Sequence, residues 1–225
     1  MSSARDGLAS FTPMTVHVCQ PPLVLPLVFM ASALPKNRPA IYADLLALPD
    51  NVVGEIVDGE LAVSPRPAPR HAVAASYLGV EIGGSFGRRR GGPGGWLILD
   101  EPELHLGEQV LVPDLAGWLR ERMPQIPETA WFELRPDWVC EVLSPSTAIL
   151  DRTRKQDIYR QHGVPWLWFV DPHSRTIEVL KLSGQDLLVA GTFGGEGEMR
   201  IPPFDAVAID VGALWDSPVT APDKP

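Results

Sequence analysis

The stretch that most constrains the fold runs from Pro136 to Pro172 and reads as strand, helix and strand. Residues 136–143 (PDWVCEVL) and 164–171 (VPWLWFVD) are short, apolar and rich in aromatic and β-branched side chains, as buried strands are. The segment between them has helical periodicity and stops at Gly163. Because the second strand is apolar almost throughout, we expect it to lie in the centre of a sheet that is covered on both faces.

Shorter elements on either side of this unit complete the expected fold. Asp58-Gly59 is a strong two-residue hairpin signal, and Gly107-Glu108 joins two strands with alternating patterns. The fold class is therefore α/β (α+β), with a mixed central sheet flanked by helices and β-hairpins at its edges. The expected elements are helices at 40–50 and 71–87 and hairpins at 54–63, 96–118 and 176–193.

Residues 38–215 are expected to form one domain, with both ends of the chain outside it. Residues 1–37 are either a disordered extension or sequence upstream of a true start at Met30, and residues 216–225 form a disordered tail. A signal peptide is disfavoured, because prolines interrupt the apolar stretch and no basic segment precedes it. The same prolines argue against a membrane-spanning helix.

Charge and cysteine content limit the possible partners and location. The net charge of −9 excludes a general attraction to nucleic acid or to anionic membranes. Any contact with nucleic acid therefore needs a local basic patch or a metal ion. The two cysteines have neither disulfide nor zinc spacing, so we expect a reducing, cytoplasmic location and no membrane partner.

Three acids interrupt apolar strand patterns. In residues 137–143 neither alternate face is polar, so Glu141 breaks the pattern whichever face is buried. A buried carboxylate is unfavourable unless it is paired or binds a metal. Asp114 follows a proline, where a strand can bend; the alternative is an aspartate that starts a turn. Glu103 lies one strand earlier, and its alternative is an exposed acid that faces His105.

The helix between the two apolar strands carries a candidate lysine. Asp151, Lys155 and Tyr159 are four residues apart and so share one helix face. One interpretation is a solvated face, and the other is that Tyr159 packs inward and brings Lys155 toward the sheet. Two carboxylates that hold Mg²⁺ or Mn²⁺, together with one lysine, suffice for phosphodiester hydrolysis, because the metal binds water and phosphate. The lysine either positions or helps to deprotonate that water, or it stabilises the negative charge of the transition state.

At these residues the chain resembles the Uma2 family, also called DUF820, of the PD-(D/E)xK nuclease superfamily. The resemblance covers roughly Tyr42 to Trp215, and it implies a restriction-endonuclease-like fold with the site at one end of the sheet. The stretches that carry it are residues 55–65 (EIVDGELAVSP), His71, residues 112–118 (VPDLAGW) and residues 136–172.

The resemblance also implies roles for individual residues. Asp114 and Glu141 match the two acids of the nuclease motif and would be the metal ligands. The motif lysine would stand at Leu143, so its role is transferred to Lys155 on the following helix. Glu60 would add a metal ligand or hold water, and His71 would contact a phosphate or a base, unless it is a structural residue of its helix. The residues expected to support the site are Glu60, His71, Glu103, Asp151 and Tyr159.

The leading hypothesis is a Mg²⁺-dependent endonuclease that acts on DNA. RNA is an alternative substrate, and a catalytically silent module that binds nucleic acid or a protein partner is the alternative class. The complete set of acids and lysine favours the enzyme. A homodimer formed by the hairpin at 176–193 is a further expectation, although core packing explains that hairpin equally well. Expected DNA contacts, unless the loops are merely solvated, are Arg66, Arg70, Arg88, Arg89 and Arg90.

Overall fold

The computed structural model describes residues 38–215, so the expectations for residues 1–37 and 216–225 lie outside the described part of the chain. The helices are α1 Tyr42–Leu46, α2 Pro69–Ile82, α3 Ala148–Leu150, α4 Gln156–Gln161 and α5 Val211–Leu214, with π-helical turns at Gly83–Gly87 and Asp151–Lys155. The strands are β1 Val52–Val57, β2 Glu60–Pro65, β3 Trp96–Asp100, β4 Leu104–Leu106, β5 Gln109–Leu111, β6 Leu115–Leu119, β7 Trp138–Val142, β8 Trp166–Asp171, β9 Thr176–Ser183, β10 Asp186–Gly194, β11 Glu198–Met199 and β12 Ile209–Asp210.

Two large sheets organise these strands. One has six strands in the order β10-β9-β8-β7-β6-β3, and the other has four in the order β2-β1-β5-β4. β7 and β8 run parallel, as a strand–helix–strand unit requires, whereas the neighbouring pairs are antiparallel. The mixed α/β fold expected from the sequence is confirmed. Within the described residues, no helix is long and apolar enough to cross a membrane.

The six-stranded sheet is covered on both faces, which confirms the expectation for residues 164–171. Trp138, Cys140 and Trp168 belong to a core beneath α2 and α5. Val139 and Phe169 point the other way, into a second core shared with α4 and the four-stranded sheet. Glu141 has the same parity as Val139, so it faces the side on which α4 and the four-stranded sheet meet.

The first hairpin forms as its turn residues predict. Asp58 and Gly59 both have positive φ, 52° and 75°, which is the backbone of the tight turns that match strand twist. The register pairs Val57 with Glu60 and continues to Val52 and Pro65. This turn therefore fixes the position of every residue on β1.

The second hairpin, expected over 96–118 with its turn at Gly107-Glu108, is confirmed, but its two halves belong to different sheets. β4 and β5 pair in the four-stranded sheet, whereas β3 and β6 pair in the six-stranded sheet. The chain leaves one sheet for the other near Pro102 and Pro113, where proline cannot donate to a ladder. As a result, Asp114 lies at the bend between two sheets.

Among the strands that the structure describes, β10 has β9 as its one neighbour, and Leu188 and Val189 are exposed on it. An exposed apolar edge strand is one route to self-association. A register shift between Val189 and Gly191 interrupts its regular ladder. The homodimer stays a prediction.

Candidate active site

The two motif carboxylates meet at one end of the six-stranded sheet. Glu141 lies on β7 and is 3% exposed. Asp114 immediately precedes β6, and the register that pairs Leu115 with Cys140 carries Asp114 to the position across from Glu141. The backbone N–H of Val142 donates to Asp114 Oδ2 at 2.7 Å, which fixes the aspartate against β7.

Lys155 reaches these acids from the helix. Its Nζ lies 2.9 Å from Glu141 Oε1, 3.0 Å from Glu55 Oε1 and 3.5 Å from Asp151 Oδ1. The lysine is only 2% exposed, so the interpretation of a solvated helix face is wrong. It is the last residue of the π-helical turn, a distortion that often occurs at functional sites.

Glu55 is the site residue that sequence reasoning missed. It lies on β1 and is 6% exposed, and its Oε1 accepts a 2.8 Å hydrogen bond from the backbone N–H of Val112. The signal was present, because Glu55 interrupts the apolar strand VVGEIV just as Glu141 interrupts β7. Only the packing of the four-stranded sheet against the helix brings the two acids to Lys155.

Tyr159 and Asp151 complete the surroundings of the lysine. The Tyr159 hydroxyl donates to Glu141 Oε1 at 2.6 Å from a fully buried ring. Burial, reinforced by Glu141, raises the pKa of the Tyr159 hydroxyl well above its usual value. Burial also raises the pKa of Asp151, although Lys155 opposes that shift. Tyr159 therefore joins the helix to β7, whereas Asp151 pairs with the lysine within the helical segment.

His71 contacts Asp114 from helix α2. It lies in the first turns of α2, and its Nε2 is 3.2 Å from Asp114 Oδ1. Burial lowers the pKa of the imidazole, but the hydrogen bond and charge of Asp114 outweigh burial and raise the pKa overall. The ring thus favours the protonated form and orients Asp114.

The cluster around Lys155 contains more acidic than basic side chains. Burial lowers the pKa of Lys155, yet Glu141 and Glu55 outweigh it, so the pKa lies well above its usual value and the lysine stays charged. Burial raises the pKa of Glu141 well above its usual value, with Lys155 opposing the shift. Four acidic side chains face one lysine and one histidine, so acids outnumber bases in the cluster.

This donor set fits a hard divalent cation. Mg²⁺ is commonly bound through one or two carboxylates, with water and phosphate completing the octahedron. In the part of the chain that the structure describes, no group of three or more His, Cys, Asp or Glu side chains is arranged to hold a metal by itself. A two-carboxylate site at Asp114 and Glu141 that substrate phosphate completes is compatible with both observations.

Two acids expected near the site lie elsewhere. Glu60 is 73% exposed at its side chain, and its Oε2 pairs with Arg154 at 2.6 Å on the outside of the first hairpin. Glu103 accepts from the Tyr42 hydroxyl at 2.9 Å and lies 2.7 Å from His105 Nε2, as the alternative interpretation of this acid expected. Within the described residues, neither Glu60 nor Glu103 forms an ion pair or a hydrogen bond with the Lys155 cluster.

The expected basic residues fall into two groups rather than one strip. Arg66 and Arg70 lie near the start of α2, whereas Arg88, Arg89 and Arg90 follow the π-helical turn at its other end. Arg66 lies 3.6 Å from Glu101 and donates to the Asp50 carbonyl. The groups are separated by the length of the helix, so a single phosphate cannot contact both.

The sequence and the fold of this chain both match known proteins. Residues 42–212 match the model of the Uma2 family, described as "Putative restriction endonuclease". A crystal structure from Anabaena variabilis ATCC 29413, described as "a putative nuclease belonging to DUF820", aligns with a TM-score of 0.63 and 22% sequence identity. The alignment covers 79% of this chain and 98% of that chain, and it shows a shared fold. No curated protein matches this chain.

Proposed function

This chain belongs to the Uma2 family, and on that premise we propose that it is a Mg²⁺-dependent endonuclease that hydrolyses DNA phosphodiester bonds. The observation that carries the proposal is Lys155, a buried ammonium held within 3.0 Å of both Glu141 and Glu55 although it stands on a helix. A lysine buried among several acids is a candidate functional group, because such arrangements are concentrated at active sites.

Asp114 and Glu141 are the residues that would hold the metal. When bound there, Mg²⁺ lowers the pKa of its water and neutralises charge on the phosphate. Asp114 is fixed by the Val142 N–H and by His71, so it presents a stable carboxylate to a ligand at the edge of β7. Glu141 is oriented by the Tyr159 hydroxyl and by Lys155 through one oxygen, Oε1.

Lys155 acts through its charge. The acids around Lys155 outweigh its burial and raise its pKa, which favours the charged ammonium. A buried ammonium is suited to stabilise the negative charge that develops on the phosphoryl oxygens in the transition state. Glu55 contacts the same ammonium and the backbone of Val112, so it sets the position of the lysine relative to Asp114.

The test is cleavage of supercoiled plasmid by the purified full chain in Mg²⁺ or in EDTA. We expect nicking that needs the metal and is lost in Asp114→Ala and in Lys155→Ala. Glu60→Gln is the matched control, because this exposed acid lies outside the cluster, and it should cleave like wild type. Cleavage that persists in Asp114→Ala would refute the assigned site. Absence of cleavage of any DNA by wild type would refute the proposed reaction.

A further inference from the structure

A groove of about 680 Å³ runs between α2 and the outer strand β3. On the helix side, a Cβ at Gly79 would come within 2.9 Å of Asp100 Oδ1, so helix and strand are in close contact there. A Cβ at Gly83 or Gly84 would meet nothing within 4 Å, so the space widens toward the end of the helix. We call this feature the arginine groove, because its wide end is lined by Arg88, Arg90 and Arg120.

The groove leads away from the candidate active site. β3 pairs with β6 from Asp100 opposite Leu115, next to Asp114, to Trp96 opposite Leu119. Arg120 directly follows this far end. One end of the groove therefore lies beside the catalytic carboxylates, and the other carries the arginines.

The three arginines are available to bind anions. Among residues 38–215, none of them forms an ion pair with an acid. Asp100, at the end nearest the site, is the one acid among the described residues that line the groove. Arg89 differs from its neighbours, because its side chain lies along Gly94 and does not line the groove. Positive charge is thus concentrated at one end, in a protein whose net charge is −9.

The length of the groove sets a scale for its ligand. Five residues of extended strand, from Leu115 to Arg120, span about 17 Å. Twelve residues of helix, from His71 to Gly83, span about 18 Å before the π-helical turn begins. Since duplex DNA rises by about 3.4 Å per base pair, this length corresponds to about five base pairs of duplex.

We propose that the arginine groove holds the flank of a DNA substrate, with Arg88, Arg90 and Arg120 binding backbone phosphates about five base pairs from the cut. This rests on the proposed nuclease function and extends it to the substrate. The enzyme requires a duplex that continues past the scissile bond on the groove side. Phosphate contacts carry no sequence information, so the groove selects for length and not for sequence.

The test measures binding of the full chain to fluorescent duplexes of about 6, 12 and 18 base pairs, with Ca²⁺ replacing Mg²⁺, over a range of salt concentrations. Each of Arg88→Gln, Arg90→Gln and Arg120→Gln should reduce the slope of log affinity against log salt by about 0.9. Lys181→Gln removes one positive charge from an exposed position on β9, outside the groove, and should leave the slope unchanged. Wild type should gain affinity with duplex length, and the triple variant should lose that gain.

A second variant tests the groove without removing any arginine. Gly84→Glu places a negative side chain in open space inside the groove and should weaken binding of the longer duplexes alone. Salt slopes that match wild type in all three arginine variants would refute the proposal that the groove binds DNA. If wild type nevertheless cleaves plasmid and Asp114→Ala does not, the proposed nuclease function is unaffected by that result. Failure of wild type both to bind and to cleave DNA would overturn both.

Discussion

Replacement of Lys155 by methionine tests whether its charge stabilises the cluster. The ammonium is 2% exposed and contacts three carboxylates, so Lys155→Met leaves buried acids without their cation. Breaking a buried ion pair by removing one partner costs about 3–5 kcal/mol. For a domain of this size, that corresponds to a fall in Tm of about 6–20 °C.

The pH dependence of this loss gives a sharper result. Lys155 opposes the rise in the pKa of Glu141, so its removal raises that pKa further. A carboxyl whose pKa is higher in the folded protein than in the unfolded chain stabilises the fold at low pH and loses that contribution as the pH rises through the folded pKa. The deficit of Lys155→Met relative to wild type should therefore narrow as the pH falls from about 8 toward the unfolded pKa of about 4.3.

Thermal and urea unfolding of the two proteins across this pH range are the assays. Lys181→Met is the matched control, since Lys181 is exposed and makes only a cation–π contact, 5.0 Å from the Trp166 ring. Its cost should stay below about 1 kcal/mol at every pH. The stabilising role of the buried ammonium would be refuted if Lys155→Met were as stable as wild type. It would also be refuted if the difference in free energy of unfolding did not change with pH.

Two further substitutions separate catalysis from stability. Glu55→Gln keeps an oxygen for the Val112 N–H but removes the charge beside Lys155, so plasmid cleavage should fall by at least about 100-fold, while Glu60→Gln cleaves normally. Equal rates of plasmid cleavage by Glu55→Gln and Glu60→Gln would show that Glu55 does not contribute to catalysis. Tyr159→Phe deletes the hydrogen bond to Glu141 and should cost about 1.5–3 kcal/mol in urea unfolding, against less than about 0.5 kcal/mol for the exposed Tyr77→Phe.

Local sequence pattern was reliable where a single element decides the outcome. The apolar run at 164–171 became a strand buried on both faces, and Asp58-Gly59 became the turn of the first hairpin. Glu141 was recognised because an acid on an apolar strand is unfavourable without a partner. The inward direction of Lys155 was inferred from Tyr159, because residues four apart share a helix face.

Local pattern failed where two sheets had to meet. The 96–118 hairpin pairs in the expected register, but its division between the two sheets near Pro102 and Pro113 was not predicted. Glu55 and Glu60 are both on the first hairpin, but β1 is the strand that pairs with β5, and it turns Glu55 toward Lys155. Glu60 stands on the outer strand and reaches only Arg154.

The sequence by itself determined the strand–helix–strand unit and its carboxylates, because period and burial cost are properties of neighbouring residues. The tertiary structure decided which of those groups share one space. It brought Glu55 into contact with Lys155 across about 100 residues of chain and set Glu60 aside, because such contacts depend on how the four-stranded sheet packs against the helix. It also placed the arginines beyond α2 at the far end of a groove from Asp114, a relation that only the pairing of β3 with β6 defines.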